Sequence, residues 1–474
     1  MLRIVTNLAI RAAIRPVYGA KMGLQNSKNR IISARRHIAA LILVAAVLAL
    51  AGCFRSSADD LYGLPEVSDE YIRLQEQVNA VLREGAEFSP PTSGPNRQSV
   101  QQKDLDGDGV NEVLAFFSYP GDSSLKIYIF EMIEDDYVVA EVIEGVGTAF
   151  ESVRYVDMDG DGIVEIVVGW QLGAALKHMS IYSIKGYHGV MLAEMEYTAI
   201  AVYDMTGSGN ENVVALRLPT DDSGAVAEVI TLMPDGEIVR SEARLSGGIE
   251  TISRILTGRL TDGVPALHIE SEGKFDGGGL VTDICVYQDG TLNNITLTAP
   301  GGISEENVRT HLQSSDINND GVIETPMPRL LKAQSETSYY AVDWYAFDSF
   351  GASRLAMTTY HSSDDWYLAL PPDWRGKVSV RREDFIAGER TVIFSYIAGN
   401  DGPFEDFLRI YKLSGDMSMA RARQPGRAIL ISEGASVYAF ELVAAPDSFG
   451  LTFDEALIRE SFGLIYSDWL AGTV

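Results

Sequence analysis

The 474-residue chain has only two cysteines, six histidines and 17 prolines, and its 38 basic side chains are outnumbered by 66 acidic ones. Two cysteines cannot build a disulfide framework. A net charge of -28 repels phosphate and attracts cations, so a general nucleic-acid binder is excluded. Catalytic and cofactor signatures are missing too: the chain has no His-Glu-x-x-His, no Gly-x-Ser-x-Gly, no Walker loop and no Cys-x-x-Cys. His178, His188, His268, His311 and His361 stand singly. What the chain does have, 46% apolar residues and 44 glycines, suffices for a packed core with many turns and sets it apart from a disordered acidic polymer.

The charge is unevenly spread. Residues 1–52 carry eight basic side chains and no acidic one. After Lys28, Arg30, Arg35 and Arg36 comes the apolar stretch Ile38–Leu50, whose 13 residues fall short of the roughly 20 that span a bilayer. A basic flank, a short apolar region and small residues predict a secretory signal over 1–52. Because Met22 would begin a signal of ordinary length, residues 1–21 read as a mis-called start. Leu50-Ala51-Gly52-Cys53 resembles the lipobox of bacterial lipoproteins. That resemblance implies cleavage before Cys53 and acylation of its thiol and new amino group, which would hold the protein on the outer face of a bacterial cytoplasmic membrane. Two or three acyl chains anchor stably where one does not. Phe54 takes the place of the Asp that would signal inner-membrane retention in a Gram-negative cell. Cys285, in the alternating run Val281–Tyr287, is expected to be a buried strand residue.

Residues 53–67 read as a small, polar tether and 68–97 as a helix and linker. Tyr71, Leu74, Val78 and Leu82 recur at helical spacing between Ser68, a suitable cap, and Gly85, a suitable stop. From 98 to about 445 the period changes to short runs of Val, Ile, Tyr and Phe separated by Asp, Gly and Asn, which predicts an all-β region. Residues 446–474 are expected to hold a C-terminal helix over Thr452–Trp469, with Thr452 and Glu455 at capping-box spacing, packed beside the N-terminal helix.

Within the β region an acidic nonapeptide recurs. Copies begin at Asp104, Asp157 and Asp204, 53 and 47 residues apart, and a fourth begins at Asp316. Hairpin signals follow about 30 residues later, at Asp135-Asp136, Lys185-Gly186, Asp235-Gly236 and Phe350-Gly351. Counting back from Asp289-Gly290 and Ser414-Gly415 reaches two eroded copies, Leu256–Gly263 and Glu383–Gly388. Ala428–Val443 resembles part of a seventh unit, which Arg97–Lys103 would complete. Units of about 50 residues with about four strands are the size of propeller blades. The expected fold is therefore all-β, a β-propeller of seven blades, or six, with one helix at each end; an array of β-sandwiches is the structural rival.

Asp-x-Asp-x-Asp-Gly with a carboxylate at position nine offers the six to eight oxygens that calcium takes in flexible geometry. The candidate ligands are Asp104, Asp106, Asp108, Glu112 and the carbonyl of Val110; Asp157, Asp159, Asp161, Glu165 and the carbonyl of Ile163; and Asp316, Asn318, Asp320, Glu324 and the carbonyl of Val322. The third copy offers only Asp204, Thr206, Ser208 and Asn212. Two or three structural Ca2+ ions are expected, and they would stiffen an exported chain that lacks disulfides. An EF-hand is excluded, because position twelve is Ala115, Val168 or Met327 and β-type residues follow the first two loops.

These loops with their spacing resemble the FG-GAP or VCBS repeats of bacterial surface proteins and of the integrin α-subunit propeller. The resemblance covers roughly residues 98–445, without the literal Phe-Gly and Gly-Ala-Pro signatures. It implies calcium on peripheral blade loops and a role in adhesion or ligand binding, and it implies no single activity. The expectation is a non-catalytic binding module with an extracellular protein or carbohydrate ligand. The alternative is a carbohydrate-active hydrolase or lyase using carboxylates such as Asp364-Asp365 or Glu405-Asp406. Tyr340, Trp344, Trp366 and Trp374 are candidates for a ligand-stacking face, although aromatic rings also serve inter-blade packing.

Overall fold

The structure, a computed structural model, describes residues 68–121, 124–145, 147–218, 224–274, 279–307, 312–334, 336–399, 402–444 and 449–465. The expected signal segment, Cys53 and the whole tether lie outside these residues, as does the end of the expected C-terminal helix. The chain divides into two units, residues 1–72 and 73–474. Of the first, only the start of a helix, α1 (Asp69–Arg83), is described. Ser68 caps it as expected, its Oγ accepting from the Tyr71 N–H at 3.2 Å. No helix among the described residues is long and apolar enough to cross a membrane.

The second unit is all-β. Its strands form six antiparallel sheets of four or five strands each among the described residues. Sheet one is built on Glu112–Tyr119, Ser124–Ile133 and Asp136–Gly145, and sheet two on Ala149–Val156, Glu165–Gln171, Lys177–Ser183 and Val190–Tyr197. Sheet three spans Ala199–Arg244 and sheet four Ile249–Asn307. Sheet five begins at Thr325–Leu330 and sheet six at Val378–Ile386.

Central strands such as Glu112–Tyr119 bury both faces, because each sheet packs on the next. Leu114 and Phe116 of sheet one meet Phe150, Val168 and Trp170 of sheet two. Val167 and Ile181 of sheet two meet Val213 and Ile230 of sheet three, and Val214 and Val229 meet Leu267 and Cys285 of sheet four. Ile284 and Val286 reach Phe347 of sheet five, whose Tyr360 and Leu368 pack on Phe394 and Ile410 of sheet six. Each such side chain contributes roughly 1.5–3 kcal/mol by leaving water. Cys285 is fully buried, as its strand context suggested.

The two terminal sheets are finished by helices. Leu74, Val78 and Val81 of α1 cover Val113, Ala115 and Phe117 on the outer face of sheet one. A short helix, α2 (Ser418–Ala422), lies over Leu413, Val437 and Ala439 of sheet six. No hydrophobic cluster among the described residues joins sheet one to sheet six.

Three expectations need correction. The segments assigned to a seventh unit belong elsewhere: Val100–Lys103 pairs with Glu112–Ala115 of sheet one, while Arg427–Glu433 and Ser436–Leu442 complete sheet six. The insertion of α2 after Ser414-Gly415 produces this, since Phe404–Ser414 then pairs with Ser436–Leu442 and not with the strand that follows it in sequence. The C-terminal helix, α3, is shorter than expected, Glu455–Ser461, and is capped by Asp454 rather than Thr452; the Asp454 side chain accepts from the Leu457 N–H. The chain then turns into Phe462–Leu464, a fifth strand on sheet five. Finally, α3 buries Ile458 against sheets five and six, in a different cluster from α1.

At the contact between sheets one and two, a Cβ at Gly145 would lie 2.1 Å from the Trp170 ring. Gly145→Ala must therefore push the indole out of the shared core. It is expected to cost about 1–3 kcal/mol, read as a lower urea midpoint; an unchanged midpoint would contradict this packing.

Candidate metal loops

Each of the four nonapeptides is the connection between two antiparallel neighbours, because the residue before position one pairs with position nine: Lys103 with Glu112, Val156 with Glu165, Tyr203 with Asn212 and Ser315 with Glu324. Strand-type pairing on both sides is incompatible with an EF-hand. The side chain at position nine accepts a hydrogen bond from the backbone N–H at position two. The pairs are Leu105–Glu112 at 2.8 Å, Met158–Glu165 at 3.1 Å, Met205–Asn212 at 2.9 Å and Ile317–Glu324 at 3.1 Å. The position-two side chains anchor the loops, Leu105, Met158 and Met205 buried between sheets and Ile317 against Val342 and Trp344 of sheet five.

Position one shapes the tip. The Asp104 carboxylate accepts from Gly107 and Gly109, and Asp157 does the same from Gly160 and Gly162. Asp204 accepts from Ser208 and Gly209, and Asp316 from Asp320 and Gly321. Successive loops also touch. Gly107 and Gly160 both have φ of +76°, and a Cβ there would lie 2.7 Å from the Gly162 carbonyl oxygen and 2.5 Å from Asn210 Oδ1 respectively. Glycine is needed at both, for backbone conformation and for space.

In the first loop, carboxylate oxygens of Asp104, Asp106 and Asp108 come within 4.8 Å of one another; in the second, those of Asp157, Asp159 and Glu165 do. An all-oxygen, mostly anionic donor set suits a hard divalent cation and has no nitrogen or sulfur to favour a softer one. The electrostatics match. Burial, with the nearby aspartates, pushes Glu165 up to about 7, and burial with Asp320 and Asp316 does the same to Glu324. Glu112 is raised as well, chiefly by burial.

Neighbouring side chains supply positive or donating groups that sequence reasoning missed. Tyr187, on the turn that ends in sheet two, donates to Asp106 Oδ2 at 3.0 Å or Glu112 Oε1 at 3.2 Å in the first loop. Lys185 on the same turn sits 2.9 Å from Asp161 Oδ2. Burial would raise Asp161, but Lys185 and the Ile163 N–H outweigh it and hold the carboxyl below its usual range. The second loop thus converges through Asp157, Asp159 and Glu165, with Asp161 turned to a lysine. Only the hairpin periodicity pointed to this turn. In the fourth loop the Asn318 amide donates to Asp320 and Glu324, so the set there is partly satisfied internally. The third loop keeps the same shape with one carboxylate, Asp204, at the candidate ligand positions.

The eroded copy at sheet four docks in a related way, Asp262 accepting from the Ser349 N–H of sheet five at 3.0 Å. The other eroded copy is the hairpin between Val378–Ile386 and Glu389–Ile397.

The aromatic candidates do not form a face. Trp344, Trp366 and Trp374 are at most 2% exposed: Trp344 donates to Thr359, and Trp366 and Trp374 fill the core between sheets five and six. Tyr340 is half-buried on Tyr340–Phe347. Three of the four carboxylates considered for sugar hydrolysis are held in ion pairs. Asp364 is buried with Arg382 and Arg390, Asp365 faces Lys412, and Arg381 holds the Asp406 carboxyl below its usual range. A general acid needs the opposite shift.

No protein-family model matches the chain, and no curated protein matches it. Among solved structures, a Bacteroides uniformis protein provisionally described as a 6-phosphogluconolactonase aligns with 65% of this chain and 95% of its own, at 11% identity and a TM-score of 0.17. A likeness at that level carries no argument about fold or activity.

Glu165 and Glu324 bind protons more tightly folded than unfolded, so without a cation they withdraw stability as pH rises from the ordinary 4.5 to about 7. Buried His268, lowered to about 3, acts with the opposite sign, so a difference measurement is required. In chelator, the wild type is expected to lose melting temperature relative to Glu165→Gln between about pH 5 and about pH 7.5. A constant difference across that range would show that Glu165 is not raised.

Proposed function

We propose that this chain is a non-catalytic binding module, a propeller-like array of six blades with helices in place of a seventh, stiffened by calcium in its acidic loops. The reading takes the protein to be exported and anchored through lipid on Cys53. One observation supports the calcium reading above the others: three loops keep carboxylates at positions one, five and nine and the same hydrogen bond from position two to position nine, and in each a glutamate no more than 2% exposed lies among aspartates with its proton affinity raised.

Asp104, Asp106, Asp108 and Glu112 would hold one ion, Asp157, Asp159 and Glu165 a second, and Asp316, Asn318, Asp320 and Glu324 a third. A bound cation would neutralise clustered charge and lock each strand connection against the next, and binding to the folded state alone stabilises it by mass action. The ion-paired state of Asp364, Asp365 and Asp406 favours this reading over the hydrolase or lyase alternative.

Adding excess chelator is expected to lower the melting temperature substantially, with Asp106→Ala and Asp159→Ala each giving part of that fall. Identical melting curves with calcium and with chelator would overturn the metal reading. A polysaccharide panel with reducing-end detection addresses catalysis: turnover abolished by a carboxylate substitution would overturn the non-catalytic reading.

A further inference from the structure

A cleft of about 400 Å3 runs along the first strands of sheets two, three and four, where Glu151, Arg154, Lys177, Ile200, Ile252 and Arg254 contribute to its wall. Its charges differ in one respect. Glu151 is fully engaged: Lys177 Nζ lies 2.8 Å from Oε1, Ser93 donates to the same oxygen at 2.7 Å, and Tyr197 donates to Oε2 at 2.6 Å. Burial alone would raise this carboxyl, but those donors hold it down at about 2. Arg254 is also committed, to Gln313, the Ser314 carbonyl and Glu270.

Arg154 is not. Its Nε is buried without a hydrogen-bond partner, as are those of Arg254 and Arg217, but where the terminal nitrogens of those two arginines are paired, those of Arg154 make no hydrogen bond or ion pair among the described residues. The one carboxylate close enough to act on it is Glu151, whose oxygens are already taken. Burial pushes the Arg154 pKa down from its ordinary value, the sign of a cation held without sufficient compensation. A second cleft, of about 440 Å3, shares Arg154 and adds Lys103 and Asn96. The contrast with the neighbouring groove beside sheet three is direct, since Arg217 there is paired with Glu228 and Glu242.

The geometry points to a binding site for a small hydroxylated organic carboxylate, with Arg154 receiving the anion in a fork that Lys177 and Arg254 flank. Arginine matches a carboxylate bidentately. Ser253, Thr257 and Thr198 place hydroxyls around the cleft, and Ile200, Ile252 and Ile255 give it an apolar wall, which suits the mixed faces of a sugar acid. In a chain of net charge -28, an unpaired, partly buried cation also selects for anions that the rest of the surface repels. This assignment deepens the binding-module reading by naming a ligand class, and it does not depend on the metal loops.

The test is isothermal titration calorimetry of the full chain with D-galacturonate, using D-galactose as the uncharged counterpart, at saturating calcium. Galacturonate is expected to bind and galactose to bind at least tenfold more weakly. Arg154→Gln should weaken galacturonate at least tenfold, and Arg154→Lys should retain part of the affinity, without a fall in melting temperature for either because no partner is lost. Absence of galacturonate binding, equal binding of the two sugars, or full affinity in Arg154→Gln would overturn the site. Should the glutamine variant fail to fold, Arg154→Lys decides, since an affinity unchanged by loss of the fork excludes bidentate recognition. A chain that binds galacturonate through Arg154 but melts identically with chelator keeps this site and loses the metal reading, so the two failures are distinguishable.

Discussion

The hydrogen bond from the backbone at position two of each acidic loop to the side chain at position nine is the constraint on which the repeats depend. It closes the loop over a buried apolar residue, so the loop is locked to the core of its sheet at the same moment as its acidic tip is formed. Such a hydrogen bond is worth roughly 0.5–1.5 kcal/mol net, and about 1.5–3 kcal/mol where the position-nine glutamate is ionised. The third loop separates shape from charge. Asn212 accepts from both Met205 and Thr206, and the loop folds alike with a neutral amide in the glutamate's place. The loop's shape thus comes from the acceptor and the apolar anchor, while the extra carboxylates of the other copies are surplus to folding.

That surplus is unfavourable where no cation is close. Aspartates whose oxygens lie within 4.8 Å of one another repel in a partly desolvated setting, and burial first, with that negative charge second, makes Glu165 hold its proton near neutrality. The chain uses two kinds of relief. Lys185 and Tyr187, from one turn, reach Asp161 and Asp106 in two different loops and so tie sheet two to sheet one. A divalent ion would be the second, with greater charge at the centre of each cluster. Sheet-to-sheet packing and loop-to-loop contact run along the same series, so relief at one loop is felt at the next through contacts such as that of Gly107 with Gly162.

The loops, their period and their strand flanks were legible in the sequence because short-range hydrogen bonding dictates them, and Asp and Gly at fixed spacing is a local code. Val113–Phe117 and Ile166–Trp170 were legible as strands for a similar reason, being apolar on both faces. What was illegible depended on distant partners. Nothing near Ala428 says that Ser436–Leu442 will pair across an inserted helix, and nothing near Val100 says that its partner is Ala115 and not the other chain end. The tryptophans mislead for the same reason, since a ring that could stack on a sugar is chemically the ring that fills a core. Tyr187 and Arg154 escaped notice because single residues carry no pattern; each is marked by what surrounds it.

Whether a repeat array closes on itself or ends is decided at the faces of its terminal sheets. A sheet with two apolar faces must have both covered, and ring closure does this by packing the last sheet on the first. Here the outer face of sheet one is covered by Leu74, Val78 and Val81 of α1, and α2 lies over part of sheet six. Each helix precedes or interrupts the strands it protects, so the cover is supplied locally and needs no agreement between distant ends of the chain. The remainder of the sheet-six face is polar, with Arg381 on Asp406, Arg409 on Glu441 and Arg427 on Glu389, and tolerates water without an apolar lid. Sheets one and six therefore solve the same exposure problem differently, one by a long amphipathic helix and the other mainly by charge pairing.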